Sequence, residues 1–187
     1  MVRQMSEDDR RLWDERYAEG EMAPVGDLGP PPVFASFEHL FPTQGQALEI
    51  ACGRGRGAVW LARRGMEVHG VDVSPVAVDL ARRLAVLSGV GDRCSFEVVD
   101  LDNGLPEGPQ VDLLLCYLFR APDLDRAIVG RLAPGGVLAV TVLSEVGAGP
   151  GPFRARAGEL NEAFGGLDLL VQGEADGTAW LVGRRSE

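Results

Sequence analysis

Leu48-Glu-Ile-Ala-Cys-Gly-Arg-Gly55 decides how the rest of the chain reads. A short apolar strand, Ala47–Ile50, runs straight into the glycine-rich turn Cys52–Gly57, and a helical stretch, Ala58–Arg64, follows. Glycines let the backbone turn sharply and approach a ligand closely. In an open parallel sheet, ligands bind at the carboxyl ends of the strands, where this turn falls. Two phosphate-binding readings compete here. The dinucleotide pattern Gly-x-Gly-x-x-Gly is met in its Gly/Ala form by Gly53, Gly55 and Ala58, which is a weak signal alone. A Walker loop is excluded, because all 18 basic residues are arginine and there is no lysine to reach a phosphate.

Outward from the turn, strand and helix alternate. Met66–Val71 predicts a second strand ending at Asp72, and Ser74-Pro75 supplies a cap and a first-turn proline for a helix to Leu87. Phe96–Val99 predicts a third strand ending at Asp100, and the near-continuous apolar run Val111–Tyr117 a central strand covered on both faces. A helix over Asp123–Leu132, a turn at Pro134-Gly-Gly136 and a strand over Val137–Leu143 complete the pattern. Such alternation predicts a mostly parallel sheet with right-handed crossovers. Leu167–Val171 and Thr178–Val182 lie too close together for an intervening helix, so they predict an antiparallel hairpin on one edge, turning within Gly173–Gly177. A short helix ending near Phe164 precedes them, after the Gly/Pro-rich loop 147–152.

Upstream, Ser6-Glu-Asp-Asp9 has the form of a helix start, and the helix runs to about Glu19 with Trp13, Arg16 and Tyr17 on one face. Gly20–Pro32, with four prolines and three glycines, predicts a loop, and Val33–Phe41 a short amphipathic segment stopped by Pro42. The expected organisation is a single domain over 1–187, with a helical cap and Pro/Gly-rich loop in 1–45 and a ligand-binding core in 46–187.

Composition narrows the partners. The net charge of −10 repels polyphosphate, so nucleic acid is not expected as the main partner. Neither a signal peptide nor a membrane span is expected, because the N-terminus is polar and the longest apolar runs are short. Cys52, Cys94 and Cys116 are an odd number without CxxC spacing, which predicts no disulfide framework and no metal site. A cytoplasmic protein, monomeric or homodimeric and without membrane association, is the expectation. Glycine is in excess, 25 of 187 residues, and marks turns or close backbone approaches.

Each of the first three strands carries an acid: Glu49 within the first, Asp72 after the second, Asp100 after the third. A carboxylate ending the second strand can accept two hydrogen bonds from vicinal ribose hydroxyls, and one ending the third can accept from an adenine amino group. The simpler alternative is that these acids cap the following helices.

The stretches Leu48–Gly55, Val71-Asp-Val-Ser74, Val99-Asp-Leu-Asp102, Asp112–Arg120 and Leu132-Ala-Pro-Gly-Gly136 together resemble the successive motifs of class I S-adenosylmethionine-dependent methyltransferases. Trp13-Asp-Glu-Arg-Tyr17 further resembles the amino-terminal segment of the tellurite-resistance and thiopurine methyltransferase-like branch. The resemblance implies an α/β, Rossmann-like, doubly wound seven-stranded sheet, mostly parallel with an antiparallel C-terminal hairpin and helices on both faces. It implies S-adenosyl-L-methionine as cofactor and a small-molecule methyl acceptor. It places Glu49, Ala51, Gly53 and Gly55 along the methionine and ribose, Asp72 with Val73 at the ribose, and Asp100 with Leu101 at the adenine. Cys116 and Tyr117 fall near the methionine, and Trp13, Arg16 and Tyr17 close over the cofactor. The family motif usually carries aspartate and glycine where this chain has Glu49 and Ala51; alanine is accommodated at little cost if its φ is negative.

Methyl transfer from a sulfonium is in-line displacement, aided mainly by alignment in a dry pocket, and needs a base only if the acceptor atom loses a proton. Tyr17, Tyr117 and His39 are the uncharged candidates for such a role, with His39 read more simply as a half-exposed surface residue. Arg120 either orients an anionic acceptor or pairs with Asp123. Cys52 and Cys116 lack a neighbouring histidine and are read as packing groups. Substrate contacts are expected from the amino-terminal segment and from Ser144–Arg156. A nucleotide-dependent oxidoreductase is the alternative enzyme reading, and a non-catalytic cofactor-binding domain the other.

Overall fold

Strand β4 (Val111–Tyr117) sits at the centre of the sheet, and Leu113, Leu114 and Leu115 are all fully buried, so its apolar run answers to cover on both faces. The computed structural model describes residues 7–18, 28–151 and 153–187. On one side of β4 lie β1 (Gln46–Ile50), β2 (Glu67–Asp72) and β3 (Cys94–Val98), all parallel. On the other side β5 (Leu132–Ser144) continues in parallel. The antiparallel hairpin of β7 (Asp168–Ala175) and β8 (Thr178–Arg184) then closes the edge, β8 lying against β5. The order is β3-β2-β1-β4-β5-β8-β7, and its seven strands, parallel but for the terminal hairpin, match the expected number and sense. An eighth strand the sequence did not announce, β6 (Arg154–Ala155), adds two residues beside β5.

Two apolar layers sandwich the sheet. Helices α2 (Arg56–Arg63) and α3 (Pro75–Leu87) cover one face together with the 3₁₀ segment Pro32–Leu40. There Phe41 packs on Phe34 at 5.6 Å and edge-on to Trp60 at 5.2 Å, which ties this upstream segment into the core. Helices α4 (Asp125–Arg131) and α5 (Glu159–Phe164) cover the other face through Ile128, Leu160 and Phe164. Ser74 caps α3 as expected, its hydroxyl accepting from the Ala77 N–H at 3.1 Å. Helix α1 (Glu7–Ala18) lies against α3; the predicted start at Ser6 and most of the predicted 20–32 loop fall outside the described residues. No described helix is long and apolar enough to cross a membrane.

Several boundaries differ from expectation for local reasons. The segment expected over Val33–Phe41 winds as 3₁₀ helix over Pro32–Leu40, kinked at Phe37 and entered through prolines, with Phe41 already extended. The turn at 134–136 is absorbed into β5: Leu132 already pairs with Val111, the register then shifts, and Gly135 takes φ +74° in the irregularity. The hairpin strands run further than expected, to a two-residue turn of Asp176 (φ +51°) and Gly177 (φ +77°), the geometry that matches strand twist. Gly173 is therefore a strand residue, kept small because a Cβ there would come within 2.2 Å of the Trp180 ring. The predicted helix over 123–132 divides into a 3₁₀ turn, Pro122–Leu124, and the shorter α4.

Candidate active site

Strand order reverses between β1 and β4, and in sheets of this kind the crevice at such a switch is where ligands sit. The loop leaving β1 is built on left-handed backbone: Ala51, Gly53 and Gly55 have φ of +51°, +51° and +73°. Ala51 thus lacks the negative φ under which alanine would be accommodated at little cost, and the conformation costs about 1–2 kcal/mol for a residue with a Cβ. The loop is held by the acid of β2. Asp72 Oδ2 accepts from the Gly53 N–H at 2.8 Å and Oδ1 from the Ser74 N–H at 3.0 Å.

Glu49 lies beneath the first turn of α2, where Oε2 accepts from the Ala58 N–H at 2.7 Å. Gly57 makes room for it, since a Cβ at that position would come within 2.2 Å of Glu49 Oε1. Burial pushes the Glu49 carboxyl up to about 8; the Ala58 N–H opposes the rise and the neighbouring Asp72 adds to it. Burial likewise raises Asp72, offset by the N–H groups of Ser74, Gly53 and Val73.

Helix α1 fastens onto this loop from outside. The Ser74 hydroxyl bonds Asp14 Oδ1, and the Arg54 guanidinium donates to the Tyr17 carbonyl at 2.8 Å while lying 6.0 Å from the Tyr17 ring centre. Trp13 stacks on Tyr17 at 5.9 Å, and the Tyr17 hydroxyl stands over Gly53, where a Cβ would approach it to 3.0 Å. Burial, then the charge of Asp72, hold the Tyr17 phenol well above its ordinary value, so it stays protonated.

These elements enclose one cavity of about 920 Å³. Of the residues singled out in the sequence, Glu49, Ala51, Gly53, Asp72 and Val73 line its floor. Trp13, Tyr17, Leu101 and Tyr117 stand on its wall, and Cys52, read as a packing group, also borders it. Six others stand elsewhere. Arg16 is exposed, stacked 5.1 Å from the Trp13 ring centre. Gly55 heads α2 and is kept small by packing, since a Cβ would come within 2.7 Å of Ala81. Asp100 caps the 3₁₀ turn Leu101–Asn103, accepting from the Asp102 N–H at 3.0 Å, which is the capping alternative realised. Cys116 is buried, its thiol pushed up to about 12 by burial and bonded to the Phe119 carbonyl at 3.3 Å. Arg120 pairs with neither an open site nor Asp123; it grips Asp125 (2.5 and 2.9 Å) and Glu159 (2.8 Å) with 8% of its side chain exposed. His39 is exposed and off the cavity.

Of the two regions expected to contact the acceptor, the upstream one lines the cavity, while none of the described residues of Ser144–Arg156 does; Leu118 and Phe119 were not anticipated. Leu28–Pro32 and Ala35 line its apolar end on the upstream segment, and Leu118 and Phe119 beyond Tyr117. Three consecutive prolines at 30–32 were the available signal of that apolar character.

Residues 47–136, which contain the β1 loop, Asp72 and β4, match the family described as a methyltransferase domain. The chain carries a class I, S-adenosylmethionine-dependent methyltransferase domain. Among proteins similar to it are a ubiquinone biosynthesis O-methyltransferase of Xanthomonas axonopodis pv. citri, 29% identical over 143 residues (74% of this chain and 58% of that one). Methyltransferase GfsG of Streptomyces halstedii is 31% identical over 124 residues, 63% of this chain and 45% of that one. The chain thus spans about half the length of these curated relatives. The methyltransferase domain also superposes on solved structures. One comes from work on conversion of a disulfide bond into a thioacetal group during echinomycin biosynthesis (TM-score 0.68, 25% identity, 95% of this chain and 93% of that one). TehB from Haemophilus influenzae shares the fold (TM-score 0.71, 16% identity, 95% of this chain and 67% of that one).

Proposed function

We propose that this protein transfers the methyl group of S-adenosylmethionine to a small-molecule acceptor within the cavity between β1, β4 and α1. The observation that carries the reading is Asp72. Its carboxylate is buried at the carboxyl end of β2, fixed by two backbone N–H groups, and on the cavity wall. The Gly53 and Ser74 N–H groups go to different oxygens and the carboxylate keeps lone-pair capacity, which suits the hydroxyls of a ribose. Tyr17 and Trp13 cover the loop beside it and exclude water. With Asp100 turned to capping, recognition of the adenine falls to Leu101 and Val99 on the wall, through apolar contact. Glu49 would hold the cationic methionine end. When bound, the donor supplies an electrophilic methyl on a sulfonium; this chain's part is to orient it and keep the site dry.

A small acceptor suits the net charge of −10, which opposes an RNA substrate, although one relative is named as a ribosomal RNA small subunit methyltransferase. We read the chain as a single domain over 1–187, working in the cytoplasm as a monomer or homodimer. Calorimetry with S-adenosylmethionine, S-adenosylhomocysteine and NADH tests the proposal. Binding of the two sulfur compounds and not of NADH is expected; tight binding of NADH alone would overturn it in favour of an oxidoreductase.

A further inference from the structure

The cavity has two chemically different ends, and only one is accounted for by a donor. A drug-sized ligand occupies a pocket of roughly 300–1,000 Å³, and at about 920 Å³ this one stands near the top of that range. Its floor near the β1 loop holds both buried carboxylates, Glu49 and Asp72. Its other end is apolar. Pro30, Pro31 and Pro32 present ring methylenes there and carry no N–H between them, so this wall has no backbone donor to give an anion.

Beyond β4, Tyr117, Leu118 and Phe119 form the second apolar wall. It is held by an unfavourable backbone: Leu118 sits at φ +58°, and its N–H is engaged by the Thr141 carbonyl at 2.7 Å. That conformation costs about 1–2 kcal/mol for a residue with a Cβ. The same turn leaves Tyr117 and Leu118 among the exposed large apolar residues. Just past it, Arg120 is fastened by Asp125 and Glu159. The two cations on the cavity lining, Arg54 and Arg56, belong to the β1 loop and the start of α2, where Arg54 donates to the Tyr17 carbonyl.

Resting on the methyl-transfer reading above, we infer that the acceptor is a neutral, largely apolar molecule with a flat ring body, seated against the prolines 30–32 and Tyr117–Phe119, and that it is preferred over inorganic oxyanions and phosphorylated or carboxylated acceptors. The prolines and aromatic rings offer faces for such a body. The Asp72 carboxylate disfavours negative charge beside the donor.

The test has two stages on the full chain. First, S-adenosylhomocysteine is titrated by calorimetry; failure to bind overturns the methyl-transfer reading itself. Second, with S-adenosylhomocysteine bound, 2-naphthol and 2-naphthalenethiol are compared with selenite, phenyl phosphate and 2-naphthoate. The neutral naphthalenes are expected to bind at least tenfold more tightly, and with S-adenosylmethionine to be the ones methylated. Equal or tighter binding of the anions would overturn the acceptor assignment and leave the donor site standing. Leu118→Gly removes the wall side chain while relieving its backbone, so the fold is kept. It is expected to weaken naphthol binding at least fivefold with S-adenosylhomocysteine affinity unchanged; unchanged naphthol affinity in both Leu118→Gly and Ala35→Asp would likewise overturn the assignment.

Discussion

Ala51 and Glu49 are the two residues at which this chain departs from the usual motif, and each has a measurable consequence. A left-handed alanine forfeits about 1–2 kcal/mol, of which glycine returns part as unfolded-chain entropy. Ala51→Gly is therefore expected to raise stability by about 0.5–1 kcal/mol in urea unfolding, with the loop's hydrogen bonds intact. Glu49 is held near 8 in the folded protein, above an ordinary carboxyl, so between about pH 4.5 and 8 folding takes up a proton. The sign follows: stability falls as pH rises through that window, is unaffected below it, and changes no further above it. Glu49→Gln is expected to flatten the decline by at least about 1 kcal/mol between pH 5 and 8, a modest share at about 1.4 kcal/mol per pKa unit; Asp72, also raised, retains the remainder. Urea midpoints at the two pH values decide it, and an equally steep decline in the variant would show that Glu49 is ionised in the fold. At Asp72 the expectation concerns the ligand. Asp72→Ala is expected to weaken S-adenosylhomocysteine binding by about 1.5–3 kcal/mol, the range for a hydrogen bond to a charged group, and unchanged affinity in calorimetry would put the ribose elsewhere.

The strands and helices were legible in the sequence where each residue's local preference agreed with its tertiary setting. Val111–Tyr117 is the case in point: a near-continuous apolar run, broken only at Asp112, suits a strand covered on both faces, and β4 has those bounds. The Ser74-Pro75 start of α3 is similarly local, a cap and a first-turn proline acting within one turn. What stayed hidden depends on distant partners. Gly135 and Gly173 look like turn residues, yet one serves a register shift against Val111 and the other lies under the Trp180 ring, neither of which sequence proximity reveals. Asp100 and Arg120 were sound chemical candidates for a site, but a backbone N–H two residues on and two carboxylates on neighbouring helices engage them first. The docking of α1 is an element-scale property of the same kind. It hangs on the Asp14–Ser74 bond and on Arg54 donating to the Tyr17 carbonyl. Asp14→Ala removes the first and leaves the α3 cap in place, so it is expected to speed amide exchange in 7–18 severalfold while global stability changes by less than about 1 kcal/mol. Exchange unaltered in that segment would mean the helix is held by Arg54 and its aromatic contacts without the Asp14 bond.

For the molecule as a whole, the site and the sheet are one cooperative structure. The floor of the cavity comes from β1 and β2, its far wall from β4, and its cover from α1 and the 3₁₀ segment whose Phe34 lies fully buried in the core. A ligand spanning that floor and cover therefore binds the folded chain and has no counterpart in the unfolded one. Linkage then sets the size of its effect: a ligand at a hundred times its dissociation constant adds about 2.7 kcal/mol, and for a domain of this size each kcal/mol moves the melting temperature by about 2–4 °C. S-adenosylhomocysteine at that excess is expected to raise the midpoint by about 5–11 °C in a single transition. The same total concentration given to Asp72→Ala should raise it by less than half as much, because the variant's weaker binding leaves a far smaller ratio of ligand to dissociation constant. Two separated transitions, with only one moved by ligand, would show instead that the upstream cover and the sheet unfold independently and that the cavity is not closed by a rigid wall.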